Sequence, residues 1–168
     1  MEATSGIRSY EFARRLAAAG HSVTMLTTAA NLGEKYAVGS NWQSHELEGI
    51  HLEVLHVPYS NKMSFVRRII AFFHFAFGAA WHVRKFKADV VFATSTPLTI
   101  AIPGIAAKLW HRIPLVFEVR DLWPELPIAV GALRNPLAKL AARGLEWVAY
   151  KSSAHIIALS PDMAEGVI

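Results

Sequence analysis

The residues best suited to chemistry lie in one short stretch, Arg120-Asp121-Leu122-Trp123-Pro124-Glu125. A cation and a carboxylate are adjacent there. Asp121 can accept protons from sugar hydroxyls, and Arg120 can grip an oxyanion through two parallel N–H donors, so the pair suits a polar, sugar-like ligand. The same two residues would also serve as an ion pair closing an Asp turn. Trp123 stands before a proline, as a packed lid or as a platform for a sugar, and Glu125 follows. Thr96 and Ser160 each stand at the start of a predicted helix, where an anion could rest on free amide groups or the hydroxyl could simply cap. Ser5 and Gly6, with Arg8 nearby, form a small-residue loop at another helix start that would admit a phosphate closely.

Other chemistries lack support. The chain has no Gly-x-Gly-x-x-Gly, no Walker loop and no Gly-x-Ser-x-Gly, the motifs that would mark dinucleotide binding, P-loop hydrolysis or a nucleophile elbow. It has no cysteine, which removes disulfides and thiolate chemistry and suits a reducing compartment. The eight histidines are not at metal-ligand spacing: His51 and His56 fall on opposite faces of a strand, and His74 and His82 lie two turns apart on a helix. No metal site is therefore expected. A net charge of +4 is compatible with phosphates or anionic lipid but is no nucleic-acid signature, so no nucleic-acid partner is expected.

The elements that must position these residues alternate between strand and helix. The apolar run Leu115 to Val119 leads straight into the Arg120 turn, as a buried parallel strand delivers side chains at its carboxyl end. Further strands are predicted at Ser22 to Thr28, Ile50 to Pro58, Ala88 to Ser95 and Ala154 to Leu159, with Ala29 to Gly49 as a long loop. Helices are predicted from about Ser5 to a Gly20 cap, from Lys62 to Lys87, from Pro97 to Trp110 with a kink or break near Ile102 before Pro103, and from Pro136 behind an Asn135 cap. Another begins at Ser160-Pro161. This alternation predicts a Rossmann-like, doubly wound parallel α/β sheet, with Asp121, Thr96 and Ser160 at one edge.

The Lys62 to Lys87 helix has a narrow stripe of Ser64, Arg67, Ala71, His74, Gly78, His82 and Lys85, expected to be wet. Phe65, Ile69, Phe72, Phe73, Ala76, Ala80 and Val83 would fill the far side. It reads as a helix covering a sheet face, whose Phe65, Arg67 and Arg68 end, with Lys62, could also meet an anionic membrane surface. At 53% apolar the chain is rich in core formers, yet its longest uncharged apolar run, Ile69 to Trp81, falls short of the roughly 20 residues a spanning helix needs. The first residues show no basic segment leading into an apolar core, so no signal peptide is expected.

Four segments carry a family resemblance: Thr4-Ser5-Gly6-Ile7-Arg8, the run Leu16 to Thr24 with its Gly20-His21-Ser22-Val23 element, Thr94-Ser95-Thr96-Pro97-Leu98, and Phe117 to Glu125. Together they resemble the amino-terminal, acceptor-side domain of family 4 retaining glycosyltransferases of the two-domain GT-B fold. Within that family they resemble the subgroup that builds bacterial surface polysaccharides, N-acetylfucosamine transferases included. The resemblance spans nearly the whole chain, and its Arg-Asp-Leu-Trp-Pro-Glu stretch is its most specific part. It implies one domain over residues 1–168, truncated at both ends, with its first strand and its carboxyl-terminal donor domain missing. It further implies transfer of a sugar from a nucleotide-diphosphate sugar, a substrate with no separate cofactor, to a lipid-linked or saccharide acceptor. The location implied is the cytoplasm, at the inner face of the membrane.

Carried over residue by residue, Ser5 and Gly6 match the loop near donor phosphate and acceptor, and Arg120-Asp121 matches a frequent His-Asp pair near the reacting sugar. Two departures stand out: Arg120 replaces that histidine, and Ser5 replaces the loop's usual glycine. With the missing domain as its intramolecular partner, this half alone is expected to be inactive. A nucleotide-sugar epimerase half, of the same two-domain fold, and a non-catalytic binding module are the other readings.

Overall fold

The computed structural model describes residues 7–32, 36, 39, 41–60, 62–95, 97–129, 131 and 133–166. They fall into two compact units, within residues 1–75 and 76–168.

The first unit begins with helix α1 (Ile7–Ala18). The chain leaves α1 through Gly20 at φ +90°, where the amides of Gly20 and His21 bond back to the carbonyls of Ala17 and Leu16. A glycine is favoured there because the left-handed conformation crowds any Cβ. Strand β1 (Val23–Thr28) then pairs in parallel with β3 (Ile50–Leu55). Between them lies β2 (Trp42–Leu47), antiparallel to β3, inside the segment expected to be a loop. Glu48 and Gly49, at φ 50° and 78°, make the two-residue turn whose twist matches that of a hairpin. That correction has a physical reason. β2 reads Trp-Gln-Ser-His-Glu-Leu, polar along most of its length, because it takes the outer place in the order β1-β3-β2. β3 takes the centre, and its Ile50, Leu52 and Val54 pack with Ala13 of α1.

Cross-strand pairing also assembles a polar cluster. His51 bonds Glu46 through Nδ1 at 2.7 Å and Glu53 through Nε2 at 2.9 Å, and the Ser44 hydroxyl donates to Glu53 at 2.6 Å. The bond to Glu46 raises the His51 pKa above its ordinary 6.5, opposed by burial and reinforced by Glu53. A raised folded pKa means that protonation favours the folded hairpin, so the contribution is full below about pH 6.5 and fades as pH rises through the folded value. The stability difference between the protein and a His51→Gln variant is therefore expected to be larger at acidic than at alkaline pH, as read from urea midpoints. A pH-independent difference would show that the imidazolium adds nothing.

The second unit holds a purely parallel sheet in the order β4-β5-β6, formed by Val91–Thr94, Leu115–Val119 and His155–Ala158. At alternate positions of β5, Leu115, Phe117 and Val119 fill one face of the strand, each no more than 1% exposed, while half-buried Val116 and buried Glu118 take the other. α3 (Ala101–His111) crosses this sheet closely: a Cβ on Gly104 would lie 3.0 Å from Leu115 Cδ1 and 3.1 Å from Ala93 Cβ. The expected break near Ile102 is instead a 3₁₀ turn at Leu98–Ile100 ahead of α3. Pro103 falls in the first turn of α3, where its missing N–H costs no internal bond. A five-residue helix, α4 (Glu125–Ala129), stands where the expected turn ends. Helix α5 (Pro136–Ser152) opens on the Asn135 side chain, which accepts from the amides of Leu137 and Ala138 as predicted, and α6 (Pro161–Glu165) closes the described chain.

Helix α2 (Phe65–His82) follows its predicted stripe in part, with Ser64, Arg67, His74 and Lys85 exposed. Within the stripe predicted to be wet, Ala71 and His82 are buried, at 8% and 5% exposure. Val66, Ile70, Phe73, Phe77 and Trp81, recurring every three or four residues, are exposed instead. Its four alanines are buried and Phe72 and Phe75 are half-buried, while a row of large apolar side chains lies outside. Phe73, expected inside, is thus outside, although Ala76 and Ala80 are buried as expected.

Candidate functional site

The three parallel strands of the second unit point the same way, so their carboxyl ends share one edge. Glu118 is in register with Thr94 on one side and Ile157 on the other, which brings Ser95, Arg120, Asp121 and Ser160 to that edge. Thr96 lies outside the described residues, as do Ser5 and Gly6. Arg8 sits on α1 in the first unit, its guanidinium 5.1 Å from the Phe12 ring centroid. The predicted residues thus divide: Arg120, Asp121, Trp123, Glu125 and Ser160 share the second unit, and Arg8 does not.

Backbone and side-chain bonds fix the place where the turn begins. The Ser95 amide donates to the Glu118 carbonyl at 2.8 Å, and the Ser95 hydroxyl accepts from the Arg120 amide at 2.9 Å. Ser95 is 2% exposed, so these bonds compete with little water. Glu118, 1% exposed, accepts at 2.7 Å from the Thr94 hydroxyl. Thr94, Ser95 and Glu118 therefore define the exit of the strand. Beyond it, Arg120, Asp121, Leu122 and Trp123 are half-buried, the Trp123–Pro124 bond is cis, and the Pro124 side chain is fully buried. Leu122 and Trp123 pack against the core around Phe117, which supports Trp123 as a packed wall of the turn. Glu125 is exposed and opens α4.

Ser160 acts as a cap, its hydroxyl accepting from the Met163 amide at 3.2 Å. The cap reading accounts for this residue.

Four polar groups beside the turn escaped sequence reasoning as site residues: Ser95, Glu118, Glu146 and Tyr150. Glu118 had a signal, a carboxylate inside an otherwise apolar buried strand. Ser95 had none beyond its place next to Thr96. Glu146 accepts from the Tyr150 hydroxyl at 3.1 Å, and burial is the main cause that raises its pKa, with the Glu125 charge adding to it and the Tyr150 bond opposing. Burial, then the neighbouring Glu146, raises the Tyr150 hydroxyl too.

Depressions of about 550 and 510 Å³ lie elsewhere, lined by Lys87 to Asp89 with Trp110 and His111, and by Lys108, Leu109 and Arg112 to Pro114. Both are at the amino ends of β4 and β5. Size alone would place a ligand there, but polar groups converge at the opposite edge, and convergence is the better guide in a parallel sheet. No group of three or more metal-ligating side chains occurs among the described residues.

Residues 4–168 match the family described as the glycosyl transferase 4-like domain. The chain belongs to that family. It is a family 4 glycosyltransferase domain, and its mixed α/β architecture is that of a Rossmann-like half of a GT-B fold. A glycosyltransferase acts on a nucleotide sugar and an acceptor, so those are the substrates this domain's family implies. No curated protein matches the chain.

Proposed function

We propose that this glycosyltransferase domain is the acceptor-binding half of an enzyme that moves a sugar, with retention, from a nucleotide-diphosphate sugar to a lipid-linked or saccharide acceptor. Surface polysaccharide synthesis at the inner face of the membrane is the setting, in a subgroup like the N-acetylfucosamine transferases. The observation that carries the reading is the Arg120-Asp121 pair at the carboxyl edge of the parallel sheet, its starting amide held by buried Ser95.

Asp121 would accept a hydroxyl proton of the acceptor or of the transferred sugar, and Arg120 would neutralise a nearby diphosphate oxygen. Trp123 walls the sugar side and Glu125 reaches its outer hydroxyls. No cofactor beyond the donor substrate enters the scheme. Because the edge is preformed, little of the binding energy is lost in ordering it.

Calorimetric titration of the chain with short-chain diphosphate-linked saccharides tests this. Binding is expected, with Asp121→Asn weakening it on the order of tenfold through loss of charge-assisted hydrogen bonds. Equal affinity of both proteins would remove Asp121 from the site, and absence of binding to every such saccharide would overturn the reading.

A further inference from the structure

The carboxyl end of α2 carries a surface that sugar transfer does not explain. Phe77 and Trp81, one turn apart, are 61% and 67% exposed. The 3₁₀ turn at Val83–Lys85 then places the Arg84 guanidinium 3.8 Å from the Trp81 ring centroid and 5.2 Å from that of Trp110. Trp110 is 46% exposed, and its neighbour Leu109 is 69% exposed. The arrangement is anchored from below. His111 Nε2 lies 3.1 Å from the Val83 carbonyl, and buried His82 packs against the Phe86 ring.

The charges around this surface are of one sign. Residues 81–89 and 108–114 contain Arg84, Lys85, Lys87, Lys108 and Arg112 against the single carboxylate Asp89. Lys108 donates to the Ser152 carbonyl, and the other four cations are exposed. Exposed tryptophans flanking a guanidinium fit the headgroup layer of a bilayer, where the rings meet the upper acyl region and the cation meets phosphate. A second copy of the same face would bring like charges together, which disfavours self-association as the use of this patch.

We propose that Trp81, Arg84 and Trp110, with Phe77 and Leu109, dock this domain on the headgroup layer of an anionic bilayer. No helix among the described residues is long and apolar enough to cross a membrane, so the attachment is peripheral. The surface lies at the opposite end of α2 from the Lys62, Arg67 and Arg68 segment. It bears on the proposed function only in where it would hold the domain, and the saccharide titration above can fail or succeed independently.

The test is co-sedimentation of the whole chain with phosphatidylcholine vesicles, with and without phosphatidylglycerol, read together with tryptophan quenching by brominated acyl chains. Salt-sensitive binding to the anionic vesicles is expected, with quenching. Trp81→Ala/Trp110→Ala and Arg84→Glu should each weaken it on the order of tenfold or more, with an unchanged far-ultraviolet dichroism spectrum. An Arg67→Glu/Arg68→Glu variant should keep the quenching. No binding by the parent chain, equal binding to neutral vesicles, or parent-like binding by the folded Trp and Arg84 variants would each overturn the proposal. So would quenching lost only in the Arg67/Arg68 variant, or a Trp-dependent dimer in sedimentation velocity with no vesicle binding.

Discussion

Asp121→Asn is expected to lower sugar transfer on the order of a hundredfold or more in a two-domain enzyme carrying this domain, the lower end of what a positioned proton acceptor contributes. The substitution keeps the size of the side chain and removes its charge. Ser95 still holds the start of the turn, so the geometry should survive while the proton acceptor is lost. Initial rates at saturating donor, with a thermal melt to confirm folding, measure the effect. A rate within about twofold of the parent would make Asp121 a turn residue with no part in the chemistry, since twofold is far below the effect of losing such a group.

Phe117→Ala should cost about 3–5 kcal/mol, a large fraction of the 5–15 kcal/mol that holds a typical domain together. Phe117 is 0% exposed at the centre of β5, packed with Ala93, Leu98, Ala101 and Ala149, and its ring centroid is 6.2 Å from that of Tyr150. Neighbours on two helices and an adjacent strand cannot all collapse into the space left behind. Denaturant unfolding followed by tryptophan fluorescence gives the number, and a loss below about 1 kcal/mol would mean that the site relaxes freely. Because Phe117 stands three residues before Arg120, the same variant should blunt acceptor binding even where it remains folded.

Much of the second unit could be read directly from the residue string, and the reasons are local. Leu115 to Val119 is apolar at nearly every position and is followed by a polar turn, so strand and exit coincide with what is observed. Asn135-Pro136 and Ser160-Pro161 are short-range caps, and short-range signals survive folding. The hairpin was harder. β2 presents Gln43, Ser44, His45 and Glu46 in a row, and only its pairing with β3 explains why such residues form a strand. At the site, adjacency in sequence revealed Arg120 and Asp121. Ser95 and Glu118 needed the register between strands 25 and 24 residues away from their bonding partners.

α2 shows the limit of reasoning from polarity alone. Its period and the wet positions Ser64, Arg67, His74 and Lys85 were legible, but the exposed row Val66, Ile70, Phe73, Phe77 and Trp81 was not, because large apolar side chains read as core. Ala76 and Ala79 are buried, at 0% and 1% exposure, in positions where a phenylalanine would need more room.

That outward apolar row alters how substitutions in this protein should be ranked. A scale that scores loss of hydrophobicity would place Trp81 and Phe77 among the least replaceable residues and Ala79 among the most forgiving. The physical order is the reverse for folding, because a larger side chain at Ala79 has no room and a polar one at Phe77 meets water. Selection for stability alone would let the outward aromatics drift toward polar residues. Their presence on the open face is a cost in solubility that the fold itself does not require, so a library screened for expression would be expected to erode this row first.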